Sequence, residues 1–277
     1  MNKPASIPGG LSRFRIDLAY DGTDYAGWAI QPGLRTIEGE VLKALRVVFG
    51  DLPEGLRVGG RTDAGVHALG QVFHLDLDET QTKRVSHRLV GKLNAVLDDD
   101  IRVYSFEPAP EGFHARYSAT KRSYRYRILD SNEQDPLSAR YHLWHYSRLD
   151  EKLMQEASKQ LLGLHDFASF CRRRAGATTI REMKKIEVSR QGNLVQIDLE
   201  ADAFCHTQVR SIVGALMKVG SGKMTETRLG EILEAKRRLN EFKVVGPEGL
   251  TLMQIHYPEE SLLAAQAEKT RNLRILD

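Results

Sequence analysis

The sequence predicts an α+β fold of two domains, each a mainly antiparallel sheet covered by helices, with an active-site cleft between them. Three observations carry this. A strand–helix–strand–strand order of hydrophobic patterning occurs twice along the chain. A length of 277 residues is enough for two ordinary cores. A hydrophobic share of 41% beside 28% charged residues is that of an ordinary folded protein. The division is expected at residues 1–112 and 113–277, and a cleft between such halves is a natural substrate site.

The first strand is carried by Phe14, Ile16, Leu18 and Tyr20, which alternate with Arg13, Arg15, Asp17 and Ala19. Turn residues follow in "YDGTDYAGW". Thr36 is placed to cap a helix through about Phe49, with Ile37, Val41, Leu45 and Val48 on one stripe. After the loop that begins at Val58, Phe73, Leu75 and Leu77 alternate as a strand; "RVSHRLVGKLNAVL" reads as a helix and "IRVYSF" as a strand. The second half opens near Phe113. Tyr124, Tyr126 and Ile128 alternate with Arg125 and Arg127, and Tyr126 is expected to pack in the core from the face opposite Tyr124. Asp150 is placed to cap a helix to Leu162, with Gly163 as its stop. "KKIEVSR" and "NLVQIDLE" form a hairpin through Gln191, Gly192 and Asn193. Helices over "HTQVRSIVGALMKVG" and "ETRLGEILEAKRR" and a strand over "LTLMQIHYP" complete the pattern.

A formal charge of only +3 means that an anionic partner would be met by local patches, not by the molecule as a whole. Cys171 and Cys205 stand far apart with no CxxC pair, which argues against a disulfide framework or a structural zinc site and fits a reducing cytoplasm. No apolar run approaches membrane-spanning length, and "MNKPASIPGGLSRF" lacks the apolar core of a signal peptide, so it reads as a short flexible leader.

Two kinds of feature point to chemistry. From Gly112 to Ile128, "GFHARYSATKRSYRYRI" holds five Lys or Arg residues and no acid; arginine forks suit phosphate, and aromatic faces suit unpaired bases. A solvated strand face with its aromatics in the core explains the same pattern. "CRRRAGATTIR" adds four arginines and no acid, and reads equally as an exposed loop. The other feature is "VGGRTDAGVHALGQVFHLD", where glycines flank Arg61, Thr62 and Asp63 in a tight loop. It is not a phosphate-binding P-loop, and "GSGKMT" fails that test too because Met224 stands where Ser or Thr is needed. His67, His74 and Asp76 have no metal-ligand spacing and read as structural residues. No GxSxG elbow supports a serine hydrolase.

"GRTDAGVHALGQVFHL" closely resembles the signature loop of the tRNA pseudouridine synthase A family. The resemblance continues, in the family's order, through "AYDGTDYAGW", "FHARYSATKRSYRYRI", "HDFASF", "FCHTQVRSIVGALMKVG" and "PEGLTLMQIHYP", from about Tyr20 to Pro258. It implies isomerisation of uridine to pseudouridine at positions 38 to 40 of the tRNA anticodon stem-loop, by a homodimer working without cofactor or metal. By the same resemblance Asp63 is the catalytic carboxylate, acting at C6 of uracil, at C1′ of ribose or in glycal formation. Arg210 is its guanidinium partner and Tyr124 the active-site ring. Arg61, beside Asp63, is expected to hold the flipped nucleotide or to meet a phosphate, and Arg125 and Arg127 to contact the tRNA backbone. A silent RNA-binding module and a hydrolase pairing Asp63 with Asp76 are the rival readings. Two departures stand out: "GWAIQ" for the commoner "GWQRQ", and "LNAVLDDD" for an "NxxLP"-type ending.

Overall fold

The structure, a computed structural model, describes residues 9–172 and 178–271. The leader reading of residues 1–8, and Arg173 and Arg174 of the arginine run, lie outside the described residues. The chain divides into two compact units. One runs through Thr120 and takes in the C-terminal stretch from Leu252; the other is Lys121–Thr251.

The first unit begins with β1 (Ser12–Tyr20), α1 (Ile37–Phe49), β2 (Glu54–Val58), β3 (His67–Leu77), α2 (Glu79–Thr82), α3 (Leu89–Val96) and β4 (Ile101–Pro108). The alternation read for β1 is real: Phe14, Ile16 and Leu18 are buried, and β1 lies antiparallel between β4 and β3. The Thr36 hydroxyl accepts from the Gly39 N–H at 3.3 Å, so α1 starts where its cap predicts. Its buried stripe is Ile37, Val41, Ala44, Leu45 and Phe49; Val48 lies only half-buried at its margin. At about 1.5–3 kcal/mol for each large buried side chain, this face rather than helix propensity holds α1 in place.

Two predicted bounds move. β3 begins at His67, well before the Phe73–Leu77 alternation, because the Tyr20↔Ala68 pairing extends it across an irregularity in register. α3 begins only at Leu89, because the preceding residues make tight turns, with Arg84 N–H bonded to the Gln81 carbonyl and Val85 N–H to that of Thr82.

The second unit contains β5 (Lys121–Asp130), β6 (Leu143–His145), α4 (Glu151–Ser158), β7 (Gly163–Asp166), β8 (Ile180–Gln191), β9 (Leu194–Ala201), α5 (Gln208–Gly220) and α6 (Glu226–Glu234). Its strands run in the order β5-β9-β8-β7, antiparallel throughout, with β6 parallel to β5. Asp150 caps α4 through the Lys152 and Leu153 N–H groups, and β8 and β9 form the predicted hairpin. The expected placement of Tyr126 needs correction. Residues two apart on a strand share a face, and Tyr124 and Tyr126 both point inward, 8% and 0% exposed.

The cysteines give a second correction. Cys171 and Cys205 are joined as a disulfide, with Cα atoms 5.8 Å apart. The Arg172 N–H donates to the His206 carbonyl at 3.0 Å, which draws together two segments far apart in sequence.

β10 (Leu250–His256) and α7 (Leu263–Arg271) close the described chain. β10 borders β3 in the first unit, where the Ser118 hydroxyl donates to the Leu263 carbonyl at 3.1 Å. The α+β class is therefore as the sequence predicts. Among the described residues no helix is long and apolar enough to cross a membrane.

Candidate active site

The loop between β2 and β3 is built against the segment after β1. Glycine at 27 has φ +97°, and a Cβ there would meet the Thr62 carbonyl oxygen at 2.9 Å. At Gly22 a Cβ would collide with the Val66 backbone. These two glycines of "YDGTDYAGW" let the loop lie directly on the backbone. Hydrogen bonds then fix it from both sides. Trp28 N–H donates to the Thr62 carbonyl at 3.1 Å, Gly65 N–H to the Tyr25 carbonyl at 3.1 Å, and Gly59 N–H to the Val72 carbonyl at 2.7 Å. Within the loop Val66 N–H donates to the Asp63 carbonyl at 3.2 Å. Asp63 is half-buried and Arg61 exposed. The loop therefore holds the backbone around Asp63 in one place, and that residue is only half-buried.

The acids of "LNAVLDDD" support the same segment. Arg35 donates to Asp100 at 2.9 Å and to Asp98 at 2.6 Å, while the Tyr25 hydroxyl donates to Asp100 at 2.5 Å. Burial and the Asp100 carboxylate both push the Tyr25 phenol above its usual range. Asn94 keeps a structural role, its amide exchanging two hydrogen bonds with the Val103 backbone. In "GWAIQ", Ile30 is exposed and its N–H meets Glu38 at 3.1 Å.

Tyr124 and Arg210 belong to the second unit. Tyr124 stands on β5 with Phe204 edge-on, ring centroids 5.1 Å apart at 86°. Arg210 lies in the first turn of α5, and its Nε donates to the Val245 carbonyl at 2.7 Å. Tyr126 is core, its hydroxyl donating to the Gly246 carbonyl at 2.7 Å. Burial, with Glu248 adding and Arg210 opposing, raises its phenol well above the ordinary value.

The basic strand is not a bare cationic face. Arg125 donates through Nε to Asp198 at 2.8 Å, and Lys121 pairs with Glu200 at 2.6 Å. Arg127 is half-buried, and desolvation with the nearby Arg125 lowers its pKa. The sequence reading missed these acids. Their signal lies in "NLVQIDLE", where Asp198 and Glu200 occupy alternate positions facing β5.

Asp76 is not positioned as a second catalytic acid. Both its oxygens are taken by Arg13, at 2.7 and 2.9 Å in a buried pair. His74 accepts from Ala115 N–H at 3.0 Å, and burial beside Arg13 holds its pKa down at about 2. His67 is buried and accepts from Gly22 N–H at 3.1 Å. Among the described residues no group of three or more His, Cys, Asp or Glu is placed to hold a metal.

Comparison with known proteins fits this construction. The tRNA pseudouridine synthase family profile matches residues 157–258. Over its whole length the chain is similar to proteins named tRNA pseudouridine synthase A. It is 44% identical over 271 residues to that of Streptomyces griseus, covering 96% of this chain and 95% of the relative. With the Frankia casuarinae protein the identity is 46% over 269 residues, covering 96% and 97%. With the Mycobacterium leprae protein it is 43% over 286 residues, covering 99% of each. An ordered loop carrying a half-buried aspartate, and kinship along nearly the full length of both partners, lead to one conclusion: the chain belongs to the tRNA pseudouridine synthase A family and is an isomerase acting on tRNA.

Proposed function

We propose that the chain isomerises uridine to pseudouridine at positions 38, 39 and 40 of the tRNA anticodon stem-loop, with Asp63 as the working carboxylate. The C1′–N1 bond breaks, uracil turns, and a C1′–C5 bond forms; the C5 proton leaves and N1 takes one up. No electrons are exchanged with a partner. Asp63 adds to C6, attacks C1′, or takes a proton in glycal formation, and each route needs an ionised carboxylate aimed at the nucleotide. The observation that supports this most is the loop around Asp63, hydrogen-bonded to the chain on both sides of that residue.

In this reading Arg210 supplies the guanidinium that favours the charged carboxylate, and Tyr124 the ring that faces the uracil. Arg61 holds the extruded nucleotide, whose unpairing costs a few kcal/mol. Arg125 and Arg127 meet backbone phosphates, Arg125 by exchanging Asp198 for an RNA oxygen. The two units, one running through Thr120 with the stretch from Leu252 and the other Lys121–Thr251, act as the two domains, two copies assemble on tRNA, and the enzyme works in the cytoplasm. Mapping pseudouridine in unmodified tRNA after incubation with the purified protein tests the proposal. New pseudouridine at 38–40 is expected; modification elsewhere, or none, contradicts it.

A further inference from the structure

We propose that Tyr20 is a positioning residue for Asp63, acting through the neighbouring Thr62; the inference rests on the reading of Asp63 as the working carboxylate. The Tyr20 hydroxyl lies 2.8 Å from Thr62 Oγ1, and all three residues of the network are buried: Tyr20 at 4%, Thr62 at 7% and Gln71 at 0% exposure. Gln71 Nε2 donates to the Gly60 carbonyl at 2.7 Å, which identifies that atom as the amide nitrogen, and also to the Tyr20 oxygen at 3.1 Å. Either hydroxyl can donate in the Tyr20–Thr62 bond, and in both cases the bond ties the two side chains together.

The network ties Gly60 and Thr62, on either side of Arg61, to strands β3 and β1. The Thr62 carbonyl is held at the same time by Trp28 N–H, so both the side chain and the backbone of the residue before Asp63 are fixed. Tyr20 stands where the β1–β3 register shifts, between Leu18↔Gln71 and Tyr20↔Ala68. Such irregularities re-aim side chains beside functional loops. Burial pushes the Tyr20 phenol up to about 12, so it keeps its proton across the working pH range. None of these groups has to touch the nucleotide. Their effect is to narrow the directions open to the Asp63 carboxylate, and small misplacements of reacting groups are costly in rate.

The test compares Tyr20→Phe, Thr62→Val and Thr62→Ser in single-turnover and steady-state assays on tRNA, with thermal melts and tRNA binding alongside. Tyr20→Phe and Thr62→Val are expected to lower kcat by about tenfold or more, with KM for tRNA and binding unchanged. Thr62→Ser, which keeps the hydroxyl, is expected to recover most of the rate lost in Thr62→Val. An unchanged kcat in Tyr20→Phe overturns the inference, as does a loss shared between kcat and KM with a lowered melting temperature. If Tyr20→Phe does not fold, the Thr62 pair decides. Asp63→Asn is run as a reference. Turnover in that variant removes the reading beneath the inference, whereas an inactive Asp63→Asn beside a fully active Tyr20→Phe removes the inference alone.

Discussion

Arg125 on β5 faces Asp198 on β9 directly in register, its Nε 2.8 Å from the carboxylate. One of the two arginines proposed to meet phosphate therefore has a carboxylate partner before any RNA arrives. Replacing both Arg125 and Arg127 with Ala is expected to flatten the dependence of log K on log salt, by about 0.7–0.9 for each phosphate left without its cation. Asp198→Asn, which releases Arg125, is expected to tighten tRNA binding at low salt. Filter-binding titrations across a salt series check both. An unchanged slope in the double variant would mean that these arginines do not meet phosphate.

The buried Arg13–Asp76 pair yields a stability expectation. Removing one partner leaves the other charge buried, at a cost of about 3–5 kcal/mol. Asp76→Ala is expected to lower the denaturation midpoint accordingly. A variant that keeps wild-type stability but loses turnover would instead restore Asp76 as a candidate for chemistry.

Gly27→Ala places a Cβ against the Thr62 carbonyl at a backbone angle that disfavours it. A destabilisation of about 1–3 kcal/mol, together with a fall in activity larger than the loss of folded protein explains, is expected from paired melting and rate measurements. Full activity in this variant would show that the loop tolerates displacement.

How far the sequence could be read depended on the range of the forces involved. Local signals were clear: the alternation of β1, the Thr36 and Asp150 caps, and the hairpin at Gln191–Asn193 each depend on neighbours within a few residues. The Asp63 loop was legible as a glycine-bounded oddity, and its role came through the resemblance. Non-local relations were not legible. One strand's alternation does not name its partner, so the acids opposite Lys121 and Arg125 went unseen. Gln71 gives no sign in "GQVFHL" that its amide spans Gly60 and Tyr20. Cys171 and Cys205 are joined across a sequence separation of 34, beside a backbone contact between Arg172 and His206. β6 is three residues long and carries no pattern of its own.

Acid stability offers a test of the buried histidines. His114 is buried against His74, ring centroids 4.7 Å apart, and burial beside Arg13 lowers its pKa to about 4. A histidine whose folded pKa is depressed binds fewer protons folded than unfolded, so its contribution is complete above the ordinary histidine pKa. That contribution falls away as pH drops toward about 4. His114→Gln is expected to flatten the stability–pH curve in that window. A curve parallel to wild type in urea titrations would contradict the burial argument.

The most direct measurement of the central claim is release of tritium from tRNA labelled at uridine C5, catalysed by the Asp63→Asn protein. Forming the C1′–C5 bond must expel that hydrogen, so release reports the isomerisation itself. No release above background is expected while tRNA binding persists. Release at close to the wild-type rate would show that the carboxylate at 63 does not carry the reaction.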